Sequence, residues 1–115
     1  MPDWSIKIVP VDASKPEGPW KFDAPGSTLI CENGDSVTWN NTTGANHWPW
    51  PTDANYTPLN VQVNDPGYMS NEIPAGGSST PAYPVILIDS KTAQSFYYCC
   101  KIHPGERGVI SASPL

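Results

Sequence analysis

Apolar and polar residues alternate with period two along short runs of this chain, and no run carries the 3.6-residue stripe of a long amphipathic helix. The alternation predicts strands at Trp4 to Val9, Ser27 to Cys31, Ser36 to Asn40, Leu59 to Val63, Pro84 to Asp89, Ser95 to Cys100 and Gly108 to Ala112. Between them lie turn signals. "ENGD", Glu32 to Asp35, reads as a hairpin turn with Gly34 free to take a positive backbone angle, and "SKTAQ" reads as the turn of a second hairpin joining "PVILID" to "SFYYCC". About seven short strands with frequent turns describe an all-β sandwich or small barrel.

Composition narrows the picture. A chain of 115 residues suits one hydrophobic core, so residues 1–115 are expected to form a single domain. Fourteen prolines, nine glycines and 15% charged residues disfavour a helical bundle. The net charge of -5 lacks the cationic face that nucleic-acid binding needs, and points to a basic or neutral partner surface. No apolar run reaches the length of about 18 residues that spans a bilayer, and no export signal is visible. Three cysteines leave at least one thiol without an intrachain partner, so the chain is not a pure disulfide scaffold.

The chemistry concentrates in "FYYCCKIHPGERGVI", where two adjacent cysteines precede one of only two histidines. Strand alternation puts Phe96, Tyr98 and Cys100 on one face, the more apolar and hence inward one, with Ser95, Tyr97 and Cys99 on the other. Cys100 then ends a strand facing inward, and the Pro-Gly loop can turn His103 back toward its sulfur. Cys99 points outward or into a side cluster. A thiolate and one imidazole leave a coordination shell incomplete, and the other histidine, His47, follows the Ser36 to Asn40 strand at what can be the same end of a sandwich. Two imidazoles, one thiolate and a weak axial group form the ligand set of a mononuclear electron-transfer copper.

Two segments carry a family resemblance. "GDSVTWNN" leading to His47, and "CKIHPGERG" from Cys100 to Gly108, resemble the two ligand-bearing segments of the cupredoxins, the small blue copper proteins. The second is closest to the amicyanin pattern Cys-x-x-His-Pro-x-Met-x-Gly, which selects Cys100 over Cys99 and matches His103, Pro104 and Gly108. It departs at one position, where Glu106 stands in place of the axial methionine. The resemblance implies a Greek-key β-sandwich of seven to eight strands, one copper ion held by His47, Cys100, His103 and Glu106, and a one-electron carrier rather than an enzyme. It also implies a redox partner protein that docks on an apolar surface near the copper, and a periplasmic or otherwise extracytoplasmic location, with an export leader lost before Met1. Trp48 and Trp50 in "HWPWP" are candidates for that surface, or for packing alone.

An axial carboxylate favours the dicationic metal over the cuprous ion, so a low-potential site with a green or red spectrum is expected. The alternative is a copper-delivery protein, or a red copper site reactive toward a small molecule. Met69 reads as a core residue rather than a ligand, and Cys31 as a small inward-facing hydrophobe. A Cys31 to Cys99 disulfide is disfavoured because the two side chains belong on different faces. A dinuclear copper centre is disfavoured because Cys99 and Cys100 diverge.

Overall fold

The computed structural model describes residues 2–24 and 26–115; Met1, on which the expectation of a lost leader rests, lies outside them. Eight strands are present among the described residues: β1 (Asp3–Pro10), β2 (Trp20–Asp23), β3 (Thr28–Glu32), β4 (Ser36–Asn41), β5 (Pro49–Thr52), β6 (Tyr83–Pro84), β7 (Gln94–Cys100) and β8 (Arg107–Ser113). They form two four-stranded sheets, ordered β2-β1-β4-β6 and β3-β8-β7-β5. The pairs β1/β4 and β3/β8 are parallel and the others antiparallel. Among the described residues no helix is long and apolar enough to cross a membrane.

The period-two alternation builds the core as expected. Ile6 and Ile8 of β1, Phe22 of β2, and Val37 and Trp39 of β4 face Leu29 and Cys31 of β3, Tyr98 and Cys100 of β7, and Ile110 and Ala112 of β8. Aromatic rings lock the sheets together: Tyr98 meets Phe22 with centroids 4.8 Å apart and Trp39 at 5.4 Å, both edge to face. Gly108 is the cross-strand partner of Tyr98, and a Cβ built there would lie 2.2 Å from the phenol ring. The ring therefore rests on bare backbone. Met69 and Cys31 are core residues, as read from the sequence.

Both expected hairpins are corrected. Gly34 does take a positive φ of 94°, but "ENGD" joins β3 of one sheet to β4 of the other, so it turns a corner of the sandwich. Likewise "PVILID" and "SFYYCC" lie in different sheets. Of the former only Pro84 lies in a strand, the two-residue β6 that it forms with Tyr83; beyond it Leu87 N–H donates to Asn33 Oδ1 and Ile88 N–H to Gln94 Oε1, so side chains substitute for a ladder.

The expected strand Leu59 to Val63 is not one. Its alternation has no partner strand, and Gln62 N–H and Asp65 N–H close a turn through Asp65 Oδ2 and Gln62 O instead. β2 and β5 were not anticipated. β5 contains two prolines, tolerated because it is an edge strand that needs donors on one side only.

The segment between β5 and Met69 folds over the outer face of the second sheet. Leu59 N–H bonds Pro51 O and Trp50 Nε1 bonds Leu59 O at 2.8 Å, while Tyr68 packs on Trp50 and Tyr56 on Tyr97. Cys99, opposite Trp50 in the register, is thereby fully buried on the outer side of its sheet.

Candidate metal centre

Cys100 ends β7 on its inner face, and the seven residues from it to Glu106 form a closed loop. Cys100 N–H donates to Glu106 O and Glu106 N–H to His103 O, both at 2.9 Å. This double closure brings His103 Nδ1 to 3.5 Å from Cys100 Sγ and 3.2 Å from Glu106 Oε2. Proline and glycine at positions 104 and 105 let the chain reverse that tightly.

His47 arrives from the other sheet, through the loop after β4. Its backbone exchanges two hydrogen bonds with Ile73, at 3.0 and 2.7 Å, which pins it beside a distant segment. The imidazole is fully buried, with Nδ1 2.9 Å from Glu106 Oε1 and 3.9 Å from Cys100 Sγ. The next residue closes the site: Trp48 N–H donates to Cys100 Sγ at 3.3 Å, and Lys101 N–H returns to Trp48 O at 2.8 Å.

One donor atom from each of His47, Cys100, His103 and Glu106 lies within 4.8 Å of the others. Glu106 is 6% exposed, so it is no solvated loop residue. Burial pulls the His47 imidazolium down, but hydrogen bonds to Cys100 and Glu106 and the charges of both outweigh it and carry the group up to about 9. Four donor atoms converging in a mostly buried cluster, one of them on a carboxylate, suit a cation. One soft sulfur, two imidazoles and one carboxylate fit copper better than a hard cation such as magnesium or calcium.

The neighbouring thiol behaves differently. Burial raises the Cys99 thiol, and the charge of Cys100 adds to the effect. Cys99 lies on the opposite face from the cluster, and all three cysteines are free.

Two residues at the cluster escaped the sequence reading. Trp20 packs against His47 and His103 with centroids 5.1 and 5.0 Å apart, held by a bond from Nε1 to Pro16 O. Gly18, at φ +107°, lies flat against the indole, where a Cβ would sit 3.0 Å from the ring. Thr43 places its hydroxyl 2.9 Å from His47 Nε2. "EGPW" hints at a turn presenting a tryptophan, but nothing in the sequence says which residues it meets.

A hollow of about 390 Å³ opens beside the cluster, walled by Val11, Pro19, Trp20 and Pro104 and reaching His103 and Glu106. A larger cavity of about 570 Å³, lined by Met69, Tyr83, Phe96 and Tyr97 among others, touches none of the four residues. Trp50 is packed under the outer-face segment, and the Lys101 ammonium sits 3.9 Å over its ring and 4.7 Å over that of Trp48. Of the two tryptophans considered for a docking surface, only Trp48 is half-exposed.

No protein-family model and no curated protein matches this sequence. Solved structures do match in fold. The purple cupredoxin of Nitrosopumilus maritimus superposes with a TM-score of 0.66 at 18% identity, over 95% of this chain and 98% of that one. The fold is that of the cupredoxins. A reduced proline-to-phenylalanine variant of amicyanin gives a TM-score of 0.62 at 16% identity, over 95% of this chain and 80% of that one. Amicyanin from Paracoccus versutus gives 0.58 at 15% identity, over 95% and 81%.

Proposed function

We propose that residues 1–115 act as one copper-binding domain that carries single electrons, with one copper ion held by His47, Cys100, His103 and Glu106. The observation that carries this reading is the convergence of four donor atoms within 4.8 Å at one end of a cupredoxin sandwich. Solved amicyanin structures of the same fold include Cu(I) forms. A bound copper supplies the one-electron couple; the chain supplies the rest.

Cys100 offers the soft thiolate, and the Trp48 N–H on its sulfur withdraws electron density and favours the reduced state. Glu106 acts in the opposite direction, because a full negative charge in a buried site favours the dicationic metal. The carboxylate outweighs a single neutral N–H donor at 3.3 Å, so the site is of low potential with a green or red spectrum. His103, with its side chain 31% exposed, is the edge through which electrons enter and leave. Val11, Ile102 and Pro104 give the surface beside it an apolar character that suits a redox partner protein. The protein works as a carrier and not as an enzyme, in an extracytoplasmic compartment where copper and partner oxidases meet.

The hollow reaching His103 and Glu106 favours a second reading, a site that admits a small molecule. Elemental analysis with an optical spectrum tests the first. One copper per chain, an intense thiolate-to-copper band and reversible reduction are expected. Copper that is readily lost without such a band supports a delivery role. A spectrum that shifts on adding azide supports small-molecule access.

A further inference from the structure

The imidazole of His47 has two nitrogens, and only Nδ1 faces the cluster. Nε2 points away from Cys100 and Glu106, toward the Thr43 hydroxyl at 2.9 Å. Which partner donates there follows from a count of protons. Asn41 directs Nδ2 at the backbone carbonyls of Ala45 (2.7 Å) and Pro74 (3.1 Å), so its Oδ1 is the end facing Thr43. That oxygen is an acceptor, and the Thr43 hydroxyl lies 2.8 Å from it. A second acceptor, Ala45 O, lies 3.2 Å from the same hydroxyl. A hydroxyl has one proton and two lone pairs. Asn41 Oδ1, which also accepts Thr43 N–H at 3.0 Å, is the nearer of the two carbonyl acceptors and takes the proton in the arrangement inferred below, while one lone pair takes Ala45 N–H at 3.2 Å. The remaining lone pair is all that His47 meets. Thr43 is 6% exposed, Asn41 2% and His47 0%, so the three groups are shielded from bulk solvent.

We propose that Thr43 is a positioning residue that keeps a hydrogen on His47 Nε2, and so obliges the ring to present its bare Nδ1 to a metal ion. With Glu106 Oε1 beside Nδ1, the metal-free ring can hold a proton on that side as well. The Nδ1 proton is the one a metal displaces, because Nε2 would meet a donor-poor, acceptor-only oxygen if it lost its own. Asn41 belongs to the device through its two fixed ends. It spans from the last position of β4 to the loop that carries His47, which couples the ring's tautomer to the sheet.

This deepens the metal-site reading and rests on it for its consequence, but the tautomer is measurable without metal. The experiment compares the wild type, Thr43→Val, which removes the hydroxyl at nearly constant shape, and Thr43→Ser, which restores it. In the first arm, nitrogen-15 NMR of the metal-free protein at a pH well above about 9, where the ring has given up one proton and only a tautomer is left, is expected to show His47 Nε2 protonated, Nδ1 bare and the Nε2 hydrogen slow to exchange in the wild type and Thr43→Ser. An unprotonated Nε2, or an Nε2 hydrogen that exchanges as fast as that of a solvent-exposed ring, overturns the proposal. The wild-type measurement stands even if Thr43→Val fails to fold. In the second arm, Zn(II) affinity is measured by chelator competition. Thr43→Val is expected to bind about 10–100-fold more weakly, with Thr43→Ser within a few-fold of wild type. Equal affinity of Thr43→Val and wild type overturns the proposal. A wild type that binds no zinc or copper while Nε2 is protonated overturns the metal-site reading and supports the tautomer assignment.

Discussion

Cys99 and Cys100 are chemically identical, adjacent and both fully buried, yet they stand in opposite surroundings. Cys100 faces inward to two imidazoles, a carboxylate and a backbone N–H; Cys99 faces outward under Trp50, in a lid of aromatic residues. The inner face gathers polar donors at one end of the sandwich, three of them buried and His103 at the rim, where each keeps a lone pair or charge for a ligand. The outer face covers its thiol with carbon, and burial makes that thiol harder to ionise. A single step of strand pleat decides between a ligand and a packing group.

The largest expected effect breaks this pair directly. Cys100→Ser replaces a soft thiolate by a hard hydroxyl and is expected to abolish the intense visible absorption of the copper-loaded protein. Cys99→Ser is expected to retain it while lowering stability by about 1–3 kcal/mol, since a hydroxyl is placed among carbon without a partner. Spectra and denaturant melts of both variants check this. Retention of the band by Cys100→Ser would reverse the assignment of the two thiols.

A second test asks how closely the inner face is packed. Gly108→Ala places a methyl group 2.2 Å from the Tyr98 ring carbon, on a rigid cross-strand partner. It is expected to cost at least about 3 kcal/mol, at the upper end for overpacking. Gly105→Ala, whose Cβ meets nothing within 4 Å, is expected to be nearly neutral in the same melts. Similar midpoints for the two variants would mean that Tyr98 can yield.

The inner face was the more legible of the two. Period-two alternation is a local signal, so Phe96, Tyr98 and Cys100 were placed correctly on the inner face, and the spacing of Cys100, His103 and Glu106 already bounded a short loop. What joins distant segments left no such mark. Trp20 reaches the cluster from an edge strand 27 residues before His47, and Thr43 reads as one of several polar loop residues. The outer lid was misread for a related reason: Leu59 to Val63 alternates like a strand, but its donors close a turn, while "PWPT" looks like loop because its prolines conceal an edge strand. Both hairpins failed because turn chemistry fixes the reversal of the chain and not which sheet the next strand joins.

Glu106→Met sharpens the contrast within the inner face. It exchanges the buried carboxylate for a neutral thioether and is expected to raise the reduction potential and shift the spectrum toward blue. Each increment of about 59 mV is a tenfold change in the relative affinity for the two oxidation states. A removed buried charge is therefore expected to give a shift of at least about that size. Glu106→Gln is expected to fall between. Glu32→Gln, an exposed carboxylate on β3, serves as the control and is expected to do little. Voltammetry of the four proteins checks the order. An unchanged potential in Glu106→Met would place the carboxylate outside the coordination shell.

The smallest effect concerns the outer face and its separation from the cluster. Lys101 directly follows Cys100, but its ammonium lies over the Trp50 and Trp48 rings at 3.9 and 4.7 Å, so its side chain belongs to the lid. Each such contact at a partly exposed site is worth about 0.5–1 kcal/mol, and the side-chain stem covers further apolar surface. Lys101→Ala is therefore expected to lower stability by about 1 kcal/mol. Lys101→Met, which keeps the stem and loses the charge, is expected to recover part of that loss. Neither change touches the Lys101 N–H bond to Trp48 O, a backbone contact that both variants retain. The thiolate-to-copper band is accordingly expected to stay in place in both. A displaced band with unchanged stability would show that the lid reaches the sulfur through Trp48, whose N–H bonds Cys100 Sγ, and that the two faces are coupled after all.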